Sequence, residues 1–213
     1  MRVRQLTTGA VLAMVCSMLI GSTAVARSDR QSVPAMWHPQ SGLSGPVGSS
    51  ATGSIVRRDD GLTVRLSTTN LRRGHAYTMW FVAINNPDAC AASPCSGPDI
   101  LLNPATDSQV TYATGHVVAG SGRATFSASF QAGALDGWLP GFELIDPRTA
   151  EIQLVLNDHG PVLDGYMPEM IKSYRAGCTD ASIPPIFPAT ARADGTPGPN
   201  TCQLYQMAAF AGS

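Results

Sequence analysis

Leu71-Arg72-Arg73-Gly74-His75-Ala76-Tyr77-Thr78-Met79-Trp80-Phe81-Val82-Ala83-Ile84 is the stretch that decides how this chain folds. From His75 onward it is apolar on both sides of a period-two repeat: Tyr77, Met79, Phe81 and Ala83 alternate with Trp80, Val82 and Ile84. Successive side chains of a strand point to opposite faces. A strand that is apolar on both faces must be covered on both, and it belongs in the interior of its sheet. Upstream, Ser54-Ile55-Val56-Arg57 runs into the turn signal Asp59-Asp60-Gly61. Leu62, Val64 and Leu66 then alternate with Thr63, Arg65 and Ser67, one face inward and one outward. Downstream, residues 110–118 and 123–130 flank Gly120-Ser121-Gly122 as a hairpin, with Ala124, Phe126, Ala128 and Phe130 on one face. Residues 151–157 form a further strand and 204–210 a last one, while 168–174 suit one or two helical turns with Pro168 in the first. About seven strands and one short helix leave too little helix for alternating β-α-β units. The pattern predicts an all-β fold, an antiparallel two-sheet sandwich, with a closed barrel as the other option.

The segment leading into the doubly apolar strand has the form L-x-x-G-x-x-Y, from Leu71 through Gly74 to Tyr77. It resembles the corner of immunoglobulin-like and fibronectin-type sandwiches. The resemblance implies that Leu71 packs inward, Gly74 turns the chain, and the Tyr77 hydroxyl bonds back to the corner backbone.

The 213 residues suit one domain with a short extension, and 44% apolar residues are enough for a sizeable core. Charged residues make up only 14% and the net charge is −1, which excludes a strongly basic nucleic-acid binder and a highly charged disordered chain. Residues 1–26 read as a signal peptide: Arg2 and Arg4, an apolar run over 9–20, then Ala24-Val25-Ala26 as a small-x-small cleavage site. The run is shorter than a membrane span needs. The expected mature protein starts at Arg27, has no stable membrane anchor, and is secreted or periplasmic. Residues 27–53, rich in Ser, Gly and Pro, read as a flexible N-terminal arm, and 54–213 as the β-sandwich domain.

Cys16 leaves with the leader, and four cysteines remain in an oxidising compartment. Four cysteines allow three pairings. Cys90–Cys95 with Cys178–Cys202 is favoured because each bridge then brackets its own loop. In the chain-entropy model a loop of about 25 residues stabilises by roughly 3.5 kcal/mol. No spacing matches a standard zinc motif.

Nucleophile elbows, HExxH helices and phosphate-binding loops are all missing from the sequence, so no catalytic residue is assigned and no cofactor is expected. Histidine is the remaining lead. His116 near one strand end and His159 after another could converge at a sandwich rim, with Asp158 beside them. There Asn157-Asp158-His159-Gly160-Pro161 would be a loop that ends a strand and contacts a ligand. In the alternative reading His116 and His159, with His75 or Asp158, hold copper or zinc, either as a metal-binding protein or as a metal-dependent enzyme.

Asn85-Asn86-Pro87-Asp88-Ala89-Cys90, Gly115-His116-Val117-Val118, Glu151-Ile152 through His159-Gly160-Pro161, and the late Cys178 and Cys202 follow in that order. In order and spacing, over roughly residues 54–210, they resemble an uncharacterised family of secreted bacterial proteins with a disulfide-containing β-sandwich-like domain. The resemblance implies an exported bacterial protein and carries no activity with it. The functional expectation is a binding or interaction domain rather than an enzyme. Its partner is a small molecule or an extracellular protein, and not a nucleic acid.

Overall fold

A computed structural model describes residues 29–139, 143–183, 187 and 196–212. The leader read over residues 1–26 lies outside the described residues. The strands and helices run in the order β1 (Asp29–Pro34), β2 (Met36–Trp37), β3 (Thr52–Arg58), β4 (Gly61–Thr68), β5 (His75–Ile84), α1 (Gly97–Leu102), β6 (Ser108–Val117), β7 (Ala124–Gln131), β8 (Gly133–Ala134), β9 (Glu143–Leu144), β10 (Glu151–Pro161), α2 (Met167–Met170) and β11 (Gln203–Phe210). One antiparallel sheet has the order β1-β3-β4-β7, the other β2-β11-β10-β5-β6, and β8 pairs with β9. The fold is the expected all-β two-sheet sandwich. No helix among the described residues is long and apolar enough to cross a membrane.

The two sheets meet through the inward faces that period two predicts. Ile55, Leu62, Val64, Leu66 and Phe126 of the first sheet pack against Tyr77, Met79, Phe81, Ile152, Leu154, Leu156, Ala208 and Phe210 of the second. The sheets approach closely at Gly53, where a Cβ would stand 2.5 Å from the Ala208 Cβ, so only glycine fits there. β5 lies between β10 and β6, as its doubly apolar pattern requires. Its other face, with Trp80, Val82 and Ile84, belongs to a second core containing Val110, Val155, Tyr174, Ile183, Phe187 and three half-cystines. The five-stranded sheet is therefore roofed by a third layer built from its own connections.

Both cross-links bracket their own loops, Cys90 to Cys95 and Cys178 to Cys202. The corner also forms as expected. Gly74 has φ +74°, the left-handed conformation that favours glycine. The buried Tyr77 hydroxyl accepts the Arg72 backbone N–H at 3.0 Å and donates to Asp158 Oδ2 at 3.1 Å.

Three expectations need correction. Residues 29–53 are not a free arm. β1 pairs with β3 and β2 with β11, Ala35 and Ala51 are buried, and Trp37 sits edge-on to Tyr205 at 5.1 Å. Edge strands are held through backbone hydrogen bonds and tolerate polar side chains, so the Ser- and Gly-rich composition hid them. Among the described residues there are two short helices rather than one. α1 begins at a capping box in which Ser96 and Asp99 bond each other's backbone N–H. Finally, Asn157-Asp158-His159 is no terminating loop, because β10 continues to Pro161.

A buried arginine ties the sheets together. Arg57 of β3 crosses to the second sheet and donates to Pro147 O, Ala150 O, Phe210 O and Ala211 O. These carbonyls lie ahead of β10 and at the end of β11, so one guanidinium anchors both.

The corner can be tested by stability. Tyr77→Phe deprives the Arg72 N–H and the buried Asp158 of one partner each, which should cost about 1–3 kcal/mol. Urea unfolding should show a lower midpoint at unchanged slope, whereas an unmoved midpoint would remove the corner from the list of struts.

Candidate functional site

Among the described residues the third layer does not close completely on the sheet. Between them lies a cleft of about 500 Å³. Its floor is the outward face of the five-stranded sheet, with Trp80 and Val82 from β5, Val155 from β10 and Met207 from β11. Ile100 and Leu101 of α1 form one wall, and Tyr174 and Phe187 form another. The aromatic wall is rigid, because Tyr174 stacks on Phe187 at 3.7 Å and Trp80 lies 4.5 Å from both Tyr174 and Trp138. The disulfides place these walls. Cys178–Cys202 joins the chain after Tyr174 to the start of β11, and Cys90–Cys95 fixes the chain entering α1.

Four polar side chains line this largely apolar space, His38, Gln40, Ser96 and Gln153, and Ser96 is committed to the α1 capping box. Gln153 donates both to Cys95 O at 2.8 Å and to Glu151 Oε1 at 2.7 Å, and its own carbonyl oxygen has no partner among the described residues. His38 accepts the Gln40 N–H on Nδ1, and burial pushes its pKa down to about 4, so the neutral ring carries its proton on Nε2. A cleft of this size, lined mainly by aliphatic and aromatic groups with a few polar side chains, has the composition of a small-molecule site.

The residues expected to act are not at this cleft. His116 is exposed, donates from Nε2 to the Thr125 carbonyl at 2.9 Å, and rests its ring on Phe126 on the inward side of the sheet. His159 points to the outward side, where it meets Thr78 and Ala176. The sheet stands between them, so these two imidazoles share no ligand position. Asp158 is buried and committed to the fold. It accepts from Tyr77, from the Gly160 N–H and from Arg72, and pairs with His75 Nδ1 at 2.8 Å. Neither Asp158 nor His159 is open to a ligand, which corrects the rim-loop reading.

His159 is a wholly buried strut whose protonation follows from its neighbours. The Trp80 indole N–H can only donate, and it donates to Thr78 Oγ1 at 2.7 Å. The Thr78 hydroxyl then gives its own proton to His159 Nε2 at 2.7 Å, which leaves Nδ1–H to donate to Ala176 O at 2.8 Å. His159, Cys178 and Cys202 also form a cluster with metal-ligating atoms within 4.8 Å of one another. The two sulfurs are bonded to each other, so the intact disulfide supplies no thiolate to a metal.

The sequence did hold a signal for the cleft. A strand apolar on both faces demands a cover, and Tyr174 and Phe187 lie in or beside the one cysteine-bracketed loop long enough to supply it. What period and composition could not give is the cleft left between the sheet and the described residues of its cover.

Burial lowers the His159 pKa to about 4. As pH falls the unfolded chain takes up this proton first, near 6.5. The stabilisation is complete above pH 6.5 and drains away between pH 6.5 and 4, by about 3 kcal/mol. His38 adds a slope of the same sign over the same range. His159→Gln should remove roughly half of this acid-limb slope in unfolding curves taken across that window; an unchanged slope would mean that His159 is protonated in the fold. Comparison of the chain with protein-family models, with curated proteins and with solved structures finds no match.

Proposed function

We propose that this chain is an exported bacterial binding protein whose ligand is a compact, largely apolar small molecule held in the outward cleft. The observation that carries this reading is the cleft itself, about 500 Å³ walled by Trp80, Tyr174 and Phe187. In this reading the ligand buries its apolar body against Val155 and Met207, while the Gln153 carbonyl oxygen and the His38 Nε2–H set its orientation. Export is supported by the leader signature and by two disulfides, which persist in oxidising compartments. The resemblance to secreted bacterial proteins points the same way.

Both halves are measurable. A neutral apolar fluorophore such as N-phenyl-1-naphthylamine should bind with enhanced emission and quench tryptophan fluorescence. Val155→Phe fills the floor of the cleft and should weaken binding by about tenfold or more, equivalent to about 1.4 kcal/mol. Ile145→Ser, which removes a hydrophobe exposed outside the cleft, should leave binding unchanged. Absence of binding, or equal affinity in Val155→Phe, rejects the ligand reading. Separately, expression in a bacterial host should yield protein outside the cytoplasm that begins at Arg27. Protein retained in the cytoplasm at full-length mass rejects export.

A further inference from the structure

A second cavity, of about 720 Å³, opens on the other side of the Cys90–Cys95 loop. Asn86, Asp88 and Ser93 line it from the segment after β5, Gly212 lines it from the C-terminal end, and Glu151 lines it from the start of β10. Glu151 is only 5% exposed. Its Oε1 accepts two hydrogen bonds, from the Cys95 N–H at 2.9 Å and from Gln153 Nε2 at 2.7 Å. Oε2 accepts none from any described residue, yet it is not sealed off from solvent, which leaves it turned to the cavity.

A carboxylate so far withdrawn from water needs a donor or a counter-charge. Oε1 has its two donors, but Oε2 has no donor and the group has no counter-charge, since no lysine, arginine or histidine lines the cavity among the described residues. Arg57, whose guanidinium donates to Ala211 O, interacts electrostatically with Asp29 and Asp146 instead. Of the rest of the lining only Asp88 is charged, and with the same sign. Asp88 is exposed and takes part in no ion pair among the described residues. Asn86 directs its amide hydrogens to Ala105 O, which leaves its carbonyl oxygen as an acceptor. The cavity thus offers two carboxylates and an amide oxygen and holds no cation of its own.

We infer that this cavity binds a small organic cation, a primary ammonium or a guanidinium, with Glu151 Oε2 and the Asp88 carboxylate as its acceptors. The volume favours an organic molecule over a bare metal ion. A calcium-like ion draws six to eight oxygens to about 2.3–2.6 Å, whereas several hundred cubic ångströms suit a small molecule. An ammonium brings three donors to acceptors that have none. This inference is independent of the apolar cleft, which is walled by different residues.

The test titrates the full mature chain with 1,5-diaminopentane and with agmatine, followed by amide NMR shifts and calorimetry. Shifts should appear at Asn86, Ala91 and Ser93, and affinity should fall with added salt, as for any charge pairing at a partly open site. Glu151→Gln keeps the acceptor for Cys95 and Gln153 and removes the charge; it should weaken binding by about tenfold or more. Asp88→Asn lies on the surface, leaves folding untouched, and should weaken binding by a smaller factor. 1-Pentanol, which lacks the charge, should not shift these amides. The inference is overturned if these amides stay unmoved at millimolar diamine, or if pentanol binds as well. It is also overturned if Asp88→Asn and a folded Glu151→Gln both match the parent, or if calcium displaces the diamine and binds more tightly.

Discussion

The structure depends on one constraint, that the central strands β5 and β10 are lined with side chains that must leave water on both faces. A two-sheet sandwich covers only one face of each sheet. Here the inward side is satisfied by the opposite sheet, through Tyr77, Met79, Phe81, Leu154 and Leu156. The outward side, with Trp80, Val82 and Val155, has to be roofed by the chain's own connections. That requirement accounts for the long excursions after β5 and after β10, for their aromatic residues, and for both disulfides. Each excursion is short of regular structure and could not otherwise hold its place on the sheet.

Polar side chains inside this framework act as pins, each held by several partners, although the Arg57 Nε itself makes no hydrogen bond to a described residue. Asp158 joins the corner, the start of β5 and the end of β10 by accepting from Tyr77, Arg72 and Gly160 and pairing with His75. His159 joins β10 to the roof through Ala176 and to β5 through Thr78. Arg57 joins the two sheets through four carbonyls. Buried polar groups without partners cost several kcal/mol, so such pins specify one arrangement: a shift of register would strand them all.

Much of the architecture was legible because it rests on local rules. The alternation in β4 and β7, the doubly apolar β5, the L-x-x-G-x-x-Y corner and the pairing of nearby cysteines all follow from side-chain period, turn chemistry and loop closure. The functional residues were not legible for the opposite reason. Asn157-Asp158-His159 has the composition of a loop, and only tertiary partners make it strand. His116 and His159 are placed by neighbouring strands, but their orientation turns on parity along β6 and β10, and a bulge near Leu156 disturbs the count along β10's pairing with β11. β1 and β2 escaped notice because an edge needs backbone donors and acceptors more than apolar side chains.

The two disulfides differ in what they do, and loop length separates their roles. The chain-entropy model assigns about 3.5 kcal/mol to a bridge closing some 25 residues and about 2 kcal/mol to one closing six. Cys178–Cys202 is thus the main contributor to stability, fastening the aromatic wall to β11. Cys90–Cys95 contributes less and shapes more. Residues 91–94 are all exposed and have little packing to hold them. Yet their loop is the partition between the two cavities, with Pro94 and Cys95 on the cleft side and Ala91 to Ser93 on the other. Cys95 is gripped from both directions by alternate residues of β10: its N–H goes to Glu151 and its carbonyl takes the Gln153 amide. Because Gln153 also donates to Glu151, a single hydrogen-bonded triangle fixes the partition, leaves Glu151 Oε2 to one cavity, and leaves the Gln153 carbonyl oxygen to the other. Two adjacent outward positions of one strand, i and i+2, thereby give neighbouring cavities opposite characters, one acidic and one apolar, with a short cross-linked loop as their shared wall.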